Sequence, residues 1–210
     1  MGKAFEIEYK YKKVEIHIID FVGDVRNING TPDLFSLSYN SNINDKGQYI
    51  LATEAEINIY EDAYFNIDEL KTVGETDILI KYFEYDELVW QGFALPDFFQ
   101  TGITKPKVLR IVATDRLGVL KDIVNTSTAI TPKAIIEECL LQTGLTLPLE
   151  IRNNNTYLET TTINRERIEG VSAYDIIRTF MVQFNSKIVQ YKNKWWVVNK
   201  KLLEDGFFNQ

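Results

Sequence analysis

The chain of 210 residues contains only one cysteine, Cys139, and only one histidine, His17. A single cysteine cannot form an internal disulfide, and its place in an apolar helical pattern is typical of a small buried side chain. His17 alternates with Ile16 and Ile18 in a strand pattern, which favours a solvent-facing or interface role over that of a catalytic base. One histidine and one cysteine cannot supply a His/Cys zinc cluster. We therefore expect no disulfide framework and no bound metal.

The short motifs that mark common enzymes are also missing. There is neither a GxxxxGK[ST] loop nor a GxGxxG fingerprint, so we expect no nucleotide cofactor, and no Gly-x-Ser-x-Gly elbow that would place a nucleophilic serine. Residues 42–45 are rich in Asn and Asp but lack the spacing of a calcium loop. The carboxylate pairs Asp68-Glu69, Asp86-Glu87 and Glu137-Glu138 are adjacent in sequence, so their side chains point apart on a strand or helix. The sequence predicts no catalytic residue.

Positive charge is also outweighed by negative charge. The chain has 23 Lys and Arg against 30 Asp and Glu, a net charge of -7, and it offers no basic cluster for binding phosphates. Such a surface still allows DNA to pass without binding. No apolar run approaches the roughly 20 residues of a membrane helix, and the first residues run into a strand pattern instead of a signal peptide. We expect a chain that is made in the cytoplasm and does not insert into a membrane.

Alternation of apolar and charged residues dominates the first half of the chain, which is the pattern of half-buried strands. A tight hairpin is predicted around Asp86-Glu87, with loops at residues 23–32 and 40–48 and a short helical turn at 62–71. The predicted strands cover residues 3–11, 14–21, 34–39, 49–60, 76–85, 87–93 and 107–114. Six or seven antiparallel strands of this kind can close into a small barrel, which removes the exposed edges of the sheet.

Helical periodicity appears after a short helix predicted from Asp115 to Val124. Thr131 and Pro132 form a good helix start, Gly144 a stop, and Ser172 with Asp175 a second capping signal. Further predicted elements are a Thr-rich edge strand at 157–163 and a hairpin of residues 186–191 and 194–199. We predict an α+β fold, mainly antiparallel β, with a β-barrel-like domain at 1–115 and helices plus a smaller α+β unit at 116–210.

Aromatic residues in loops, near the end of the chain and in the last strand are the main candidates for contacts. Rings in loops are costly to leave in water, and Trp195 and Trp196 must face opposite sides of their strand. The candidate subunit-interface residues are Phe98, Phe99, Trp195, Trp196, Phe207 and Phe208. One alternative is a carbohydrate-binding β module, in which exposed Trp90, Trp195 or Trp196 stacks on a sugar. Another is a hydrolase with two converging carboxylates.

Two stretches of the sequence resemble a known family. Residues 89–97 (VWQGFALPD) and 112–121 (VATDRLGVLK) are similar to the W-x-G-F and A-T-D-x-L-G-x-L-K signature of tail proteins from Bacteroidetes phages and prophages. Segments 142–145 (QTGL), 172–177 (SAYDII), 189–191 (VQY) and 195–198 (WWVV) resemble the hub and tail-tip proteins at the end of phage tail tubes.

The resemblance implies a non-enzymatic structural protein of the baseplate hub or tail tip. Its subunits would form a homotrimeric or other ring from small β-barrel-like tube domains, between tail-tube proteins and a tail tip or spike. DNA would pass through the lumen without specific binding, and the protein would reside in the virion tail. Family members are generally longer, so the chain is expected to be an N-terminal hub portion or a compact version. Its last part, residues 146–210, has too few strands for a second full barrel.

Overall fold

The computed structural model describes residues 1–40, 47–61, 70, 74–101, 107–152, 157–205 and 207–209. The chain divides into two compact units. Unit 1 comprises Met1–Ser38 and Glu54–Asp115, and unit 2 comprises Tyr39–Thr53 and Arg116–Gln210. The predicted loop at 40–48 and helical turn at 62–71 lie largely outside the described residues.

Unit 1 is built around a closed β-barrel. The first nine strands of the described chain are β1 (Gly2–Tyr9), β2 (Lys12–Ile18), β3 (Arg26–Tyr39), β4 (Ile50–Leu51), β5 (Thr53–Tyr60), β6 (Ile78–Glu84), β7 (Glu87–Ala94), β8 (Gln100–Thr101) and β9 (Val108–Thr114). Seven of them close in the order β5-β3-β1-β2-β6-β7-β9, with β9 pairing back onto β5, while β8 lies beside β9. The predicted barrel is therefore confirmed. Most pairs are antiparallel, but β1 and β3 run parallel.

Apolar side chains fill the interior of the barrel. Alternate residues of the strands point inward because successive side chains of a strand face opposite sides. Trp90, Phe5 and Tyr82 are the large aromatic residues of this core, and branched aliphatic residues such as Ile57 and Ile111 pack around them. Each such side chain contributes about 1.5–3 kcal/mol through its removal from water. The described residues inside the barrel therefore form a packed core.

Closure of the barrel depends on a short contact between β7 and β9. Phe93 pairs with Thr114 and Ala94 with Ala113, and β8 then takes over the same side of β9. Gly92 lies beside this contact, where a Cβ atom would overlap both the carbonyl oxygen of Thr114 and the ring of Trp90. Both segments of the sequence signature, residues 89–97 and 112–121, therefore contribute residues to the closing pair.

Unit 2 is a four-stranded sheet with helices. Its further elements are β10 (Leu149–Arg152), β11 (Ser186–Tyr191), β12 (Lys194–Asn199), α1 (Pro132–Leu141), α2 (Tyr157–Thr160), α3 (Ala173–Gln183), α4 (Lys200–Glu204) and 3₁₀ helices at Leu117–Lys121, Arg165–Arg167 and Phe207–Asn209. The sheet order is β10-β12-β11-β4. Strands β11 and β12 form the predicted hairpin, and both outer strands run parallel to their neighbours.

The predicted helix starts of unit 2 are confirmed. The Thr131 side chain accepts a hydrogen bond from the Ala134 N–H at 3.5 Å, directly before α1. The Ser172 hydroxyl oxygen accepts from the Asp175 N–H at 3.1 Å, and the hydroxyl donates to the Asp175 carboxylate at 2.9 Å. Each cap satisfies backbone donors that the first helical turn leaves unpaired.

Some local predictions were wrong in their extent. Strand β3 includes Arg26–Tyr39, although residues 26–32 were predicted as a loop from their Asn and Gly content. Pairing of this segment with β1 stabilises it as a strand, with Ile28 buried. The predicted strand 49–60 is divided into β4 and β5, and the turn of the β6–β7 hairpin is Tyr85-Asp86, both with positive φ. This turn suits the twist of a two-residue hairpin.

The Thr-rich segment 157–163 contains a helix and no strand. Its first four residues form α2, and the Thr161 N–H donates to the Tyr157 carbonyl oxygen at 3.1 Å. Strand propensity is realised only where a neighbouring strand offers pairing, whereas Leu158 is buried in a helical turn and Glu159 binds Lys133 at 3.0 Å. The sequence prediction also missed β8, β10 and α4.

Candidate assembly surfaces

The six aromatic residues proposed for subunit contacts occupy very different environments. Phe98 is 58% exposed, whereas Phe99 is half-buried against the barrel core. Trp195 is 1% exposed and Phe207 5%, and these two side chains offer almost no area to a second subunit. Their rings are already packed within the single chain, and their part in a subunit contact stays a prediction. Trp196 and Phe208 are half-buried.

The arrangement around Trp196 also bears on the carbohydrate-binding alternative. Trp90 and Trp195 are buried, so neither can stack on a sugar. The Trp196 ring has the Arg152 guanidinium 5.1 Å and the Phe207 ring 5.3 Å from its centroid, and its Nε1 donates to the Tyr191 carbonyl oxygen at 2.8 Å. The Trp196 side chain therefore packs within unit 2. None of the three tryptophans, all of which lie in the described part of the chain, has a fully exposed ring.

Exposed apolar side chains lie in two connections at one end of the barrel. Strands β2 and β7 are both antiparallel to β6, which lies between them, so their carboxyl ends lie at the same end of the sheet. The connection after β2 carries Val22, which is 98% exposed, together with the partly exposed Ile19 and Val25. The connection after β7 carries Phe98. We call these two segments, residues 19–25 and 95–99, the apolar loops.

Sequence reasoning found Phe98 in the apolar loops but missed Val22. The pair Phe98-Phe99 stands out because two large rings follow a proline turn. Val22 is a single apolar residue among Asp and Gly, and isolated apolar residues are common on ordinary protein surfaces. Only the strand directions reveal that the two segments share one end of the barrel.

A charged cluster lies on the outer face of the barrel around Glu15 of β2. The Glu15 carboxylate interacts with the His17 Nε2 at 3.0 Å and with the Lys3 ammonium at 3.3 Å, and Lys3 also binds Glu6 at 2.7 Å. Lys81 of β6 lies directly opposite Glu15 in the sheet. Glu15 and His17 are mostly shielded from solvent. His17 therefore serves as a partner of Glu15 on a barrel wall, and no nucleophile approaches it among the contacts of the described residues.

Two pKa shifts in this cluster predict lower stability in acid. Burial lowers the pKa of His17 below its usual 6.5, and the Glu15 hydrogen bond offsets this only in part. Burial tends to raise the pKa of Glu15, but hydrogen bonds from His17 and Lys3 outweigh it and hold that pKa below its usual value. In both cases the unfolded chain binds more protons at low pH than the folded chain does. Stability is therefore lost as the pH falls.

We expect His17→Gln to reduce this loss between about pH 7 and pH 5, where an unperturbed histidine titrates. Glutamine retains a hydrogen-bond donor for Glu15 but takes up no proton. Urea unfolding midpoints at several pH values measure the effect. An equal decline in midpoint for the wild type and the variant over this range would contradict it.

Unit 2 contains an open polar cleft of about 490 Å³. Asn125 and Ser127 line its inner part, where the Ser127 N–H donates to the Asn125 side-chain oxygen at 3.0 Å. The Cys139 thiol lies 3.6 Å from the same oxygen, and burial raises the pKa of this thiol to about 12. Cys139 is therefore a neutral thiol at physiological pH and a poor nucleophile. Charged residues of the cleft, Arg165, Glu166 and Glu169, are exposed.

A metal site is not evident either. Within the described ranges, no three His, Cys, Asp or Glu side chains come together as a possible metal-binding group. The adjacent pairs Asp86-Glu87 and Glu137-Glu138 lie at a hairpin turn and on α1, and Asp68-Glu69 lies outside the described residues. In the described part of the chain, no helix has the length and apolarity needed to cross a membrane.

Comparison with known proteins adds information at the level of the fold. No family model and no curated protein matches the chain. A solved structure, the tail protein from Neisseria meningitidis MC58, is nevertheless similar to this chain. It aligns with 90% of this chain and 50% of its own length, at 10% sequence identity and a TM-score of 0.51.

Two further solved structures align at lower scores. The 43 kDa tail protein of prophage MuSo2 from Shewanella oneidensis covers 79% of this chain, with 11% identity and a TM-score of 0.41. Prophage tail protein gp18 from Listeria monocytogenes EGD-e covers 82%, with 7% identity and a TM-score of 0.45. The chain spans about half the length of each of these three proteins, 50%, 55% and 46%. The likeness to the Neisseria protein shows a shared fold.

Proposed function

We propose that the protein is a structural component of a phage or prophage tail, in the baseplate hub or tail-tip ring that connects the tail tube to the distal tip. The observation that carries the proposal is the fold shared with the Neisseria meningitidis tail protein over 90% of the chain. The sequence signature at residues 89–97 and 112–121 supports the same assignment, since both segments contribute to closure of the barrel. In this proposal the protein is located in the virion tail.

Unit 1 is the tube domain in this proposal, and copies of it form a homotrimeric or other ring. A barrel with a packed apolar core is suited to act as a rigid wall, so the lumen in this proposal lies between subunits. The apolar loops supply contact area at one end of the barrel, where Phe98 and Val22 are exposed. Exposed apolar groups of this kind are stabilised when a neighbouring protein covers them.

The charge of the chain fits the passage of DNA. Carboxylates outnumber Lys and Arg by 30 to 23, and the outer face of β1 and β3 carries Glu6 and Glu8 beside Asn27 and Asn29 in a shallow groove of about 220 Å³. Such a surface repels phosphates and gives DNA no stable binding site. The role is non-enzymatic in this proposal: His17 is held by Glu15, and Cys139 is a buried thiol.

Assembly is the direct test of this function. We expect the purified protein to form rings when mixed with tail-tube or tail-tip proteins from the same phage genome, seen by negative-stain electron microscopy and native mass spectrometry. Persistent monomers in every mixture would contradict the proposal. A glycan array and a hydrolase screen on the same sample test the competing classes.

Phe98→Ser should weaken this assembly without unfolding the barrel. The Phe98 ring is mostly exposed in the single chain, so its removal costs little stability, whereas a covered ring at an interface is worth about 1–3 kcal/mol. Leu202→Ser, at another exposed apolar position in α4, is the matched control. Native mass spectrometry measures the fraction of rings. Equal loss in both variants would argue against the apolar loops as a contact.

A further inference from the structure

The two edge strands of the unit 2 sheet differ in their hydrogen bonding. At the β4 edge, the Gln48 side-chain amide donates to the Ile50 carbonyl oxygen at 2.7 Å, and the Asn40 N–H donates to the Ala52 carbonyl oxygen at 2.9 Å. Both residues of β4 are fully buried. This edge is therefore closed by the chain itself, as expected for an edge protected against pairing with other strands.

The opposite edge of the sheet is formed by β10. The Trp195 N–H donates to the Pro148 carbonyl oxygen at 3.0 Å, which fixes the pattern of the parallel β10–β12 pair. In this pattern the N–H and C=O groups of Glu150 point to β12, whereas those of Leu149 and Ile151 point outward. Among the residues that the structure describes, no strand pairs with β10 on this outer side. The sheet thus presents one edge that can accept another strand.

We propose that the β10 edge pairs with the β10 edge of a second copy of this chain. Because the β4 edge is closed, two copies can join their sheets edge to edge only through the same strand, and such a contact has two-fold symmetry. The strands then run antiparallel and form one continuous eight-stranded sheet. This inference does not depend on the proposed function, since it uses only the hydrogen bonding and sequence of unit 2.

Charge selects the register of the pair. The outward backbone groups allow a two-fold axis at Ile151 or at Glu150. Centring on Ile151 places Glu150, which binds Lys194 of its own chain at 2.8 Å, opposite Arg152 of the second copy, twice, and Ile151 opposite itself. Arg152 lies over the Trp196 ring of its own chain, so both side chains extend these existing contacts to the second copy. Centring on Glu150 places two carboxylates opposite each other, which is unfavourable. The sequence of β10, Leu149-Glu150-Ile151-Arg152, is therefore self-complementary in the first register.

The apolar surface beside β10 also favours a second copy of this chain as the partner. Leu149 lines a groove of about 190 Å³ together with Leu140, Leu141, Leu145 and Leu147. Leu141 is 56% exposed at this site. Ile151 of the second copy lies diagonally opposite Leu149 on this face, within reach of such side chains. The pair therefore covers apolar surface in addition to making backbone hydrogen bonds.

Cysteine cross-linking tests the register directly. A two-fold axis at Ile151 places the two Cα atoms of this residue about 5.5 Å apart, within the range of a disulfide. The Cα atoms of the two Glu150 residues are then separated by roughly 8 Å, which is too far. Ile151→Cys should form covalent dimers under mild oxidation much faster than Glu150→Cys. The native Cys139 gives little background because it is buried.

The outcomes of this comparison are distinct. Faster cross-linking of Glu150→Cys than of Ile151→Cys would overturn the register, and no dimer in either variant would overturn the contact. Non-reducing electrophoresis gives the rates, and wild-type protein without an added cysteine provides the background. If rings form with tail proteins but neither variant cross-links, this inference fails while the proposed function stands.

Sedimentation equilibrium at high chain concentration tests the β10–β10 contact without covalent cross-linking. Ile151→Pro removes only an outward N–H, so the β10–β12 pair persists while the dimer is lost. Arg152→Glu should weaken the dimer about tenfold through two like-charge pairs, and adding Glu150→Arg should restore it. Arg167→Glu carries the same change in net charge at an exposed site away from β10. Equal weakening by Arg152→Glu and Arg167→Glu, or no dimer in the wild type, would contradict the proposal.

Discussion

Gly92→Ala is expected to destabilise the barrel by about 3 kcal/mol, because a Cβ atom at this position overlaps backbone as well as a large ring. The carbonyl oxygen of Thr114 lies on one side and the Trp90 ring on the other. Neither can yield easily, since Thr114 is paired with Phe93 in the closing contact and Trp90 is buried in the core. Relief of the overlap requires β7 and β9 to separate where the barrel closes.

Chemical unfolding followed by far-UV circular dichroism measures this loss. Gly118→Ala is the matched control, because a Cβ at Gly118 has open space around it in the 3₁₀ helix Leu117–Lys121. We expect the control to be neutral or slightly stabilising, since alanine restricts the unfolded chain. Equal stability of the two variants would show that β7 and β9 are not in close contact at Gly92.

Phe207→Ala is expected to destabilise unit 2 by about 3 kcal/mol, the usual loss for a buried phenylalanine. The ring packs against Tyr191 at 5.7 Å and Trp196 at 5.3 Å between centroids, and it belongs to an apolar cluster with Val198 and Leu203. Its removal leaves a cavity beside β12. This prediction tests the internal packing of Phe207, which the sequence indicated as a candidate subunit contact.

Phe98→Ala provides the contrast within the same set of interface candidates. Phe98 is exposed, so the variant should unfold close to the wild type. Thermal unfolding of the two variants therefore separates internal packing from surface exposure. A small effect of Phe207→Ala, comparable to that of Phe98→Ala, would contradict the described packing around Tyr191 and Trp196.

The sequence predicted those elements whose signals are local. Thr131 and Ser172 cap helices because the cap, the first turn and the apolar stripe all lie within a few residues. The β6–β7 hairpin was found within one residue for the same reason. The alternation of charged and apolar residues was sufficient to predict a closed barrel of six or seven strands.

Features that depend on distant residues were not predictable in the same way. The Asn- and Gly-rich start of β3 is a strand only because β1 offers it a partner. Alternation showed that Trp195 and Trp196 face opposite sides, but it could not show which side is the core. Among the candidate contacts, exposure of Phe98 and burial of Phe207 depend on packing that no short motif encodes.

The segment Tyr39–Thr53 belongs to unit 2 but lies in sequence between the two parts of unit 1. This order affects folding during translation. This segment supplies β4, which pairs with β11, a strand that leaves the ribosome much later than the last barrel strand. During translation the barrel sequence is therefore complete while one of its own connections still lacks its final partner. Ile50 and Leu51, which are buried in the folded chain, therefore lack this partner strand until the C-terminal hairpin emerges.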